Sequence, residues 1–245
     1  MARVDDLLAA GLKGLPPKPS DSAPQTQKKR YSELASQALA IAFAEELRLR
    51  GLAGSRPTSA GEIDASGAER RMAGGIGAKK VDVTWATEES GLLFAISIKT
   101  INFSDSKTKN FQKNLTNRRG DMLMEAVTLH RRFPYAVLAG FLFLDKGAEL
   151  DSTSKRRSTF TNAHNRMKLF TARPDPAGRD EQFERLYVFL LDASPKKATV
   201  RAFPVGKSDA PVPLSVIFDE LINLIAERNP DFYEAVDGNL VSARS

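Results

Sequence analysis

Three polar residues interrupt two apolar segments of the chain, at positions where neighbouring strands are expected. Asp82 lies between two valines, and Ser97 and Lys99 end an apolar run that begins at Leu92. A charged group in an apolar strand is costly to bury unless it has a partner. A carboxylate beside an amine is either a structural ion pair or a functional site. In the functional case the carboxylate binds a hard metal ion, while the amine positions water and steadies negative charge on a phosphate.

The stretch Glu88-Glu89-Ser90-Gly91 has the residue types of a hairpin turn and predicts that the two strands pair antiparallel. If the loop is Ser90-Gly91, Asp82 faces Lys99. If the loop is Glu88–Gly91, Asp82 faces Ser97. In both registers Asp82 and Lys99 lie on one face of the hairpin, with Cβ atoms roughly 5–8 Å apart.

The elements around the hairpin predict an α/β fold. Apolar spacing predicts a helix over Tyr31–Arg50, with Ser32 as N-cap and Gly51 as the stop. Residues 51–78 form a connection rich in Gly, Ser, Ala and Pro, whose Gly74–Lys80 end lacks the spacing of a phosphate-binding loop. The elements predicted after the hairpin are a helix over Arg119–Arg132, a buried strand over Tyr135–Leu144, a basic loop region, strands over Arg185–Asp192 and Ala198–Val205, and a helix over Val216–Arg228.

This order predicts three regions along the chain. Residues 1–30 are rich in Pro, Ser, Gln and Lys and are expected to be a flexible tail, with one short helix at residues 2–14 as a further expectation. Residues 31–205 are the expected core domain, and residues 206–245 a helical segment packed on it.

Composition excludes several classes of protein. The chain has 245 residues, no cysteine and two histidines, so disulfide scaffolds, thiol nucleophiles and Cys- or His-rich zinc sites are excluded. The longest apolar run, Tyr135–Leu144, is 10 residues, too short to span a bilayer. We therefore expect no membrane association and a cytoplasmic location.

The net charge of +6 and a pI near 9.5 indicate a polyanionic partner. The positive charge is concentrated in the middle of the chain, and the C-terminal part is acidic. Two basic segments are candidates for contacts to phosphates and base edges, although a solvated positive face would have the same composition. The candidate residues are Lys107, Lys109, Lys113, Asn114, Asn117, Arg118 and Arg119 in the first segment and Lys155, Arg156 and Arg157 in the second.

Asp82, the hairpin and Ser97-Ile98-Lys99 resemble the core of the PD-(D/E)XK nucleases, which have the restriction-endonuclease-like fold. In that family an aspartate opens the hairpin, an acid-x-Lys motif lies on the next strand, and a helix and a strand follow. The resemblance covers Tyr31–Leu144, just under half of the chain, and the order of elements carries more of it than the short motif. It implies an αβββαβ core with a mixed central sheet flanked by helices, here followed by further strands and a helix.

The chain departs from the family pattern at Ser97, which stands where the family has Glu or Asp, and at Ala78–Val81, which lacks the proline frequent before the aspartate. A hydroxyl is a poor replacement for a carboxylate as a magnesium ligand. Two acids are candidates to fill the gap. Glu33 occupies the place of the family's helical glutamate, where it would equally complement the helix dipole. Glu125 lies at the edge of the apolar stripe of the following helix and faces either the site or solvent.

The resemblance implies a metal-dependent endonuclease that hydrolyses phosphodiester bonds in DNA, with restriction or phage defence as its setting. Asp82 and Glu33 or Glu125 would hold Mg²⁺, or Mn²⁺, with the Ile98 carbonyl as a further ligand. Lys99 would orient or deprotonate the attacking water, and Ser97 would hold a metal-bound water. RNA remains open as a substrate, and because cutting both strands usually needs two sites, a homodimer is one expectation. The alternatives are a DNA-binding module with an inactive site and a subunit of a defence complex that binds a partner protein.

Overall fold

The computed structural model describes residues 3–58, 70–73, 78–194 and 198–243. Within these ranges the chain forms the following elements: α1 (Arg3–Lys13), α2 (Gln25–Leu49), β1 (Arg70–Ala73), β2 (Ala78–Val81), β3 (Val83–Thr87), β4 (Gly91–Ile101), α3 (Leu115–His130), β5 (Val137–Asp145), α4 (Thr159–Met167), β6 (Arg185–Asp192), β7 (Thr199–Pro204), α5 (Leu214–Arg228), β8 (Tyr233–Val236) and β9 (Asn239–Ser242). Most of the predicted connection, including the glycines at 74, 75 and 77, lies outside the described residues.

The centre of the fold is a five-stranded mixed sheet in the order β3-β4-β5-β6-β7. The three inner strands run parallel, and both outer strands are antiparallel to their neighbours. A parallel pair needs a crossover connection, and α3 supplies it between β4 and β5. The predicted α/β class with a mixed central sheet is confirmed.

Helices cover both faces of this sheet. On one face α2 and α5 pack through Phe43 and Phe218, whose rings lie 5.7 Å apart, against Phe141 of β5. On the other face α3 packs through Met122 and Ala126 against alternate residues of β4 and β5. Because successive strand residues point to opposite faces, each inner strand is apolar almost throughout. None of the helices in the described ranges is both long and apolar enough to cross a membrane.

The N-terminal region differs from the predicted flexible tail over residues 1–30. Residues 3–13 form α1, which confirms the short helix expected over residues 2–14 and buries Val4, Leu8 and Leu12 against the α2 side of the core. The second helix begins at Gln25 after Pro24, so Ser32 lies inside it and is not its N-cap. The first turns of α2 are polar and show no apolar period, which is why the sequence places the start too late. Gly51 ends α2 with φ at +98°, and a Cβ there would lie 2.1 Å from the Leu240 carbonyl oxygen.

The structure differs from the sequence predictions in two further regions, the basic region after β5 and the C-terminal segment. The basic region after β5 contains α4, whose N-cap Ser158 accepts a hydrogen bond from the Thr161 backbone. The predicted C-terminal helical segment consists of α5 followed by the hairpin β8–β9, which turns at Asp237-Gly238. The six buried residues of α5 pack this segment onto the sheet.

Candidate functional site

At the Asp82 end the hairpin β3–β4 has the second of the two predicted registers, and nearer the turn a shift between Trp85 and Ala86 pairs Thr87 with Gly91. Val83 pairs with Ile96 and Trp85 with Phe94, which extends to place Asp82 opposite Ser97. Asp82 itself lies just before β3, where the ladder stops. Its carboxylate replaces a ladder acceptor, because Oδ2 accepts a hydrogen bond of 2.6 Å from the Ile98 backbone N–H. The side chain of Asp82 therefore holds the residue before β3 against the C-terminal part of β4.

Side chains of β4 alternate between the two faces of the sheet, and this alternation determines which helix contacts Ser97 and Lys99. Ser97 and Lys99 lie on the face of Ala95, which packs against α3. On α3, Met122 and Ala126 are buried in the same contact, and Glu125 is directed towards the strand. The structure therefore brings Glu125, of the two candidate acids, to Ser97 and Lys99.

Asp82, Ser97, Lys99 and Glu125 form one group joined by hydrogen bonds and ion pairs, which we call the DSKE cluster. Glu125 accepts hydrogen bonds on both oxygens: Oε2 from the Ser97 hydroxyl and Oε1 from Lys99 Nζ, the latter at 2.7 Å. Lys99 Nζ lies 3.7 Å from Asp82 Oδ2. The three charged side chains are only 10–14% exposed, so they interact in a partly dehydrated environment.

The Lys99 ammonium offsets part of the negative charge of the Glu125 and Asp82 carboxylates. Burial alone lowers the pKa of this amine, but the nearby Glu125 and Asp82 carboxylates outweigh burial and raise the pKa above its ordinary value. The cluster thus contains one ammonium and two carboxylates. Its remaining negative charge favours the approach of a cation.

Glu33 lies apart from the DSKE cluster. It belongs to α2, which covers the opposite face of the sheet, and its side chain is 57% exposed. Its ion-pair partner is Lys29, one helical turn earlier, at 3.8 Å. Glu33 nevertheless lines the same cavity as the cluster, from the opposite wall.

The DSKE cluster opens into a cavity of about 1070 Å³, which we call the main cleft. Its walls are the first half of α2, the segment after β4 and the start of α3. Of the predicted nucleic-acid contacts, Lys113, Asn114 and Arg118 line this cleft. Its lining also includes cations that the sequence analysis missed, namely Lys28, Lys29, Arg30 and Lys80. Three of these, Lys28, Lys29 and Arg30, lie at the end of residues 1–30, the region that the sequence predicts to be a flexible tail.

The two predicted basic segments lie next to each other in the fold. Asp151 accepts hydrogen bonds from the Phe111 and Thr159 backbones, which ties the second segment to the first. Gln112 Nε2 also donates to the Arg157 carbonyl oxygen at 3.4 Å. The side chains of Lys107, Lys109, Lys155 and Arg157 are exposed, whereas Arg119 and Arg156 are partly buried and Arg156 donates to the Asp151 carbonyl. Asn117 lines a second cavity beside the main cleft.

Asp121 is an acid of the cleft that the sequence analysis did not select. It lies one helical turn before Glu125 on α3, lines the main cleft, and is 54% exposed in an ion pair of 3.5 Å with Arg118. Its negative charge contributes to the raised pKa of Lys99. The spacing of four residues from Glu125 was the signal available in the sequence, since residues at i and i+4 share a helix face.

The oxygen donors of the cluster fit a hard cation such as Mg²⁺. This ion commonly binds to proteins through one or two carboxylates and keeps several waters, and Asp82 and Glu125 provide two. Within the part of the chain that the structure describes, no three His, Asp or Glu side chains are grouped to hold a metal. The ligand set would therefore be sparse, with most of the coordination left to water and substrate.

In comparisons with known proteins, no family model, no curated protein and no solved structure matches this chain.

Proposed function

We propose that the protein is a metal-dependent endonuclease that hydrolyses phosphodiester bonds in DNA, with the DSKE cluster as its active site. The observation that carries the proposal is the convergence of Asp82, Glu125 and Lys99 at the base of a cleft lined by cationic side chains. A structural ion pair needs one carboxylate, whereas this lysine has two and the group opens to solvent. The resemblance to PD-(D/E)XK nucleases supports the same assignment, with Glu125 in place of the acid that Ser97 lacks.

Asp82 and Glu125 are the proposed metal ligands. The carbonyl of Ile98 is a further one, because the N–H of Ile98 faces Asp82 and the N–H and C=O of one strand residue point to the same side. The bound ion would supply charge neutralisation at the phosphate and at the leaving oxygen. Ser97 holds Glu125 in place through its hydroxyl, and Glu33 is a residue of the cleft wall in this proposal.

Lys99 and the cleft walls act on the substrate. The Lys99 ammonium can donate hydrogen bonds to the attacking water and to a phosphate oxygen, which orients both. The cations of the main cleft can hold the DNA backbone, and such contacts position the nucleic acid without reading its sequence. A setting in restriction or phage defence, a cytoplasmic location and a homodimer that cuts both strands stay predictions.

A plasmid-nicking assay tests the proposal. Wild-type protein is incubated with supercoiled DNA in Mg²⁺, in Mn²⁺ and in EDTA, beside Asp82→Asn, Glu125→Gln and Lys99→Met. Asp145→Asn is the matched control, since Asp145 is also a partly buried carboxylate in an ion pair, with Lys18 at 2.5 Å, but does not line the main cleft. We expect metal-dependent nicking by wild type and by the control, and its loss in the three cluster variants.

Nicking that persists in Glu125→Gln and Asp82→Asn would contradict the assignment of the site. Retained DNA binding with no nicking by wild type in either metal would favour the alternative of an inactive DNA-binding module. The same assay on a labelled RNA of matched sequence decides between the two nucleic acids.

A further inference from the structure

A second cavity continues the main cleft along α3. It has a volume of about 680 Å³, and we call it the side groove. Asn114, Arg118 and Asp121 line both cavities. The two therefore form one trough that runs from the DSKE cluster towards the start of α3.

Gly120 of α3 lines the side groove, and neither helix formation nor packing requires a glycine at this position. Gly120 lies inside α3, where glycine is the least favourable residue after proline. A Cβ at this position would have no described atom within 4 Å, so packing does not require its absence. A bare backbone at the floor of a groove does allow a ligand to approach closely.

The walls of the side groove carry donors suited to a nucleic-acid strand. Asn114 and Asn117 offer amides, and Arg118 offers a guanidinium on a side chain that is 38% exposed. Met124 is 46% exposed at one side and provides an apolar surface for a sugar or base. Amide and guanidinium donors beside an apolar contact are typical of protein–DNA interfaces.

We propose that the side groove holds the DNA strand on one side of the scissile phosphate. This inference rests on the proposed function, since it takes the DSKE cluster as the place of cleavage. Asn114 precedes Glu125 by 11 residues, which is roughly 16 Å along the helix axis. The phosphates of one B-form strand repeat about every 3.4 Å along the duplex axis and lie further apart along the strand itself, so a trough of this length contacts more than one phosphate.

The test fills the groove without touching the cluster. Gly120→Leu adds an uncharged side chain at a helix position with free space, and Ala9→Leu adds the same side chain at an exposed position of α1 outside both cavities. Binding of a labelled 20-base-pair duplex is measured in EDTA, and nicking in Mg²⁺. Thermal melting of each variant shows whether it is folded.

We expect Gly120→Leu to melt no lower than wild type, to bind the duplex about tenfold more weakly, and to nick with a raised KM and an unchanged kcat. Ala9→Leu should bind as wild type does. Equal binding by Gly120→Leu and wild type would overturn the groove assignment even if wild type nicks DNA. Weakened binding by Gly120→Leu together with no nicking by wild type would support the groove and overturn the nuclease proposal alone, and no DNA binding by wild type would overturn both.

Discussion

The Ser97 hydroxyl donates a hydrogen bond to the Glu125 carboxylate, and the other oxygen of that carboxylate accepts one from Lys99. The Ser97 side chain of the strand and the Glu125 side chain of the helix therefore meet beside Lys99. Ser97 supplies a hydroxyl that donates a hydrogen bond, and Glu125 supplies the negative charge. This contact explains how a chain with serine in an acid-x-Lys position still presents two carboxylates to one amine.

Glu125→Gln is expected to lower metal-dependent nicking by at least about 100-fold, because loss of a residue that merely supports a metal ligand already costs 10–100-fold. The amide keeps the shape of the side chain and removes its charge. Glu33→Gln is the matched control, since Glu33 lines the same cleft but pairs with Lys29. It should change the rate by less than about threefold. The reverse order of these two effects would assign the catalytic acid to α2.

Ser97→Asp should make the folded protein respond to metal. The new carboxylate lies against Glu125, and two like charges in a partly buried site repel each other. We expect the melting temperature in EDTA to fall by several degrees and to recover as Mg²⁺ is added, because a ligand that binds only the folded state stabilises it. Ser97→Asn adds a neutral group of the same size and keeps only Asp82 and Glu125 as acids, so its melting temperature should respond less to Mg²⁺. The absence of any Mg²⁺ response in both variants would show that the site does not bind the ion.

Lys99→Met should destabilise the metal-free protein by about 2–4 kcal/mol in urea unfolding, since removal of one partner leaves two largely buried carboxylates without compensation. Lys113→Met is the control. Lys113 pairs with Asp105 but is 72% exposed, and exposed pairs contribute about 0–1 kcal/mol. The double variant Lys99→Met/Glu125→Gln should regain part of the loss. No regain would mean that Glu125 is not held by Lys99 in solution.

The pairing of Asp82 with the end of β4 could be predicted from the sequence because two local rules act together. Strand alternation puts Ser97 and Lys99 on one face, and the turn residues limit the hairpin to two registers. Both registers bring Asp82 and Lys99 together, and the structure has the one that places Asp82 opposite Ser97. The positions of the helices relative to the sheet could not be predicted in the same way. Which face of the sheet α2 and α3 cover depends on tertiary packing, so local spacing could not decide between the two acids, and the family pattern placed Glu33 before Glu125.

Other signals were present in the sequence and were not used. Asp237-Gly238 is one of the strongest short hairpin signals, and it does connect β8 to β9. Ser158 followed by Phe160, Ala163 and Met167 has the N-cap and the apolar spacing of the helix α4. The charge of the region around α4 led to a prediction of loop, and the β8–β9 hairpin lies in a region that was predicted as a helical segment. Polarity alone is therefore a weaker guide than capping and turn residues.

The contact between the two basic segments predicts that both contribute to one DNA-binding surface. Lys155→Gln and Arg157→Gln should each weaken DNA binding and reduce the slope of log K against log salt by about 0.9, the value for one phosphate contact on duplex DNA. Lys13→Gln, at an exposed position on α1, should leave the slope unchanged. Fluorescence anisotropy across a salt series measures all three. Slopes equal to that of wild type for Lys155→Gln and Arg157→Gln would exclude the second segment from the interface.

Burial of the His164 side chain predicts that the protein loses stability in weak acid, independently of the DSKE cluster. The ring is 3% exposed, its Nδ1 accepts a hydrogen bond of 3.0 Å from the Gly206 backbone, and it lies edge-on to Phe160. Burial lowers the pKa of His164 to about 4, so between pH 6.5 and 4 the unfolded chain binds a proton that the folded chain does not. Stability is therefore fully present above pH 6.5 and falls as the pH falls through this window.

His164→Asn should flatten that part of the pH profile, because the amide oxygen can still accept from Gly206 but does not titrate. Urea unfolding of wild type and variant at pH 7, 6, 5 and 4 measures the difference. The variant should be less stable than wild type at pH 7, since it loses ring packing against Phe160 and Phe203, and the gap should narrow towards pH 4. A gap of constant size across the whole range would show that His164 is protonated equally in the folded and unfolded states.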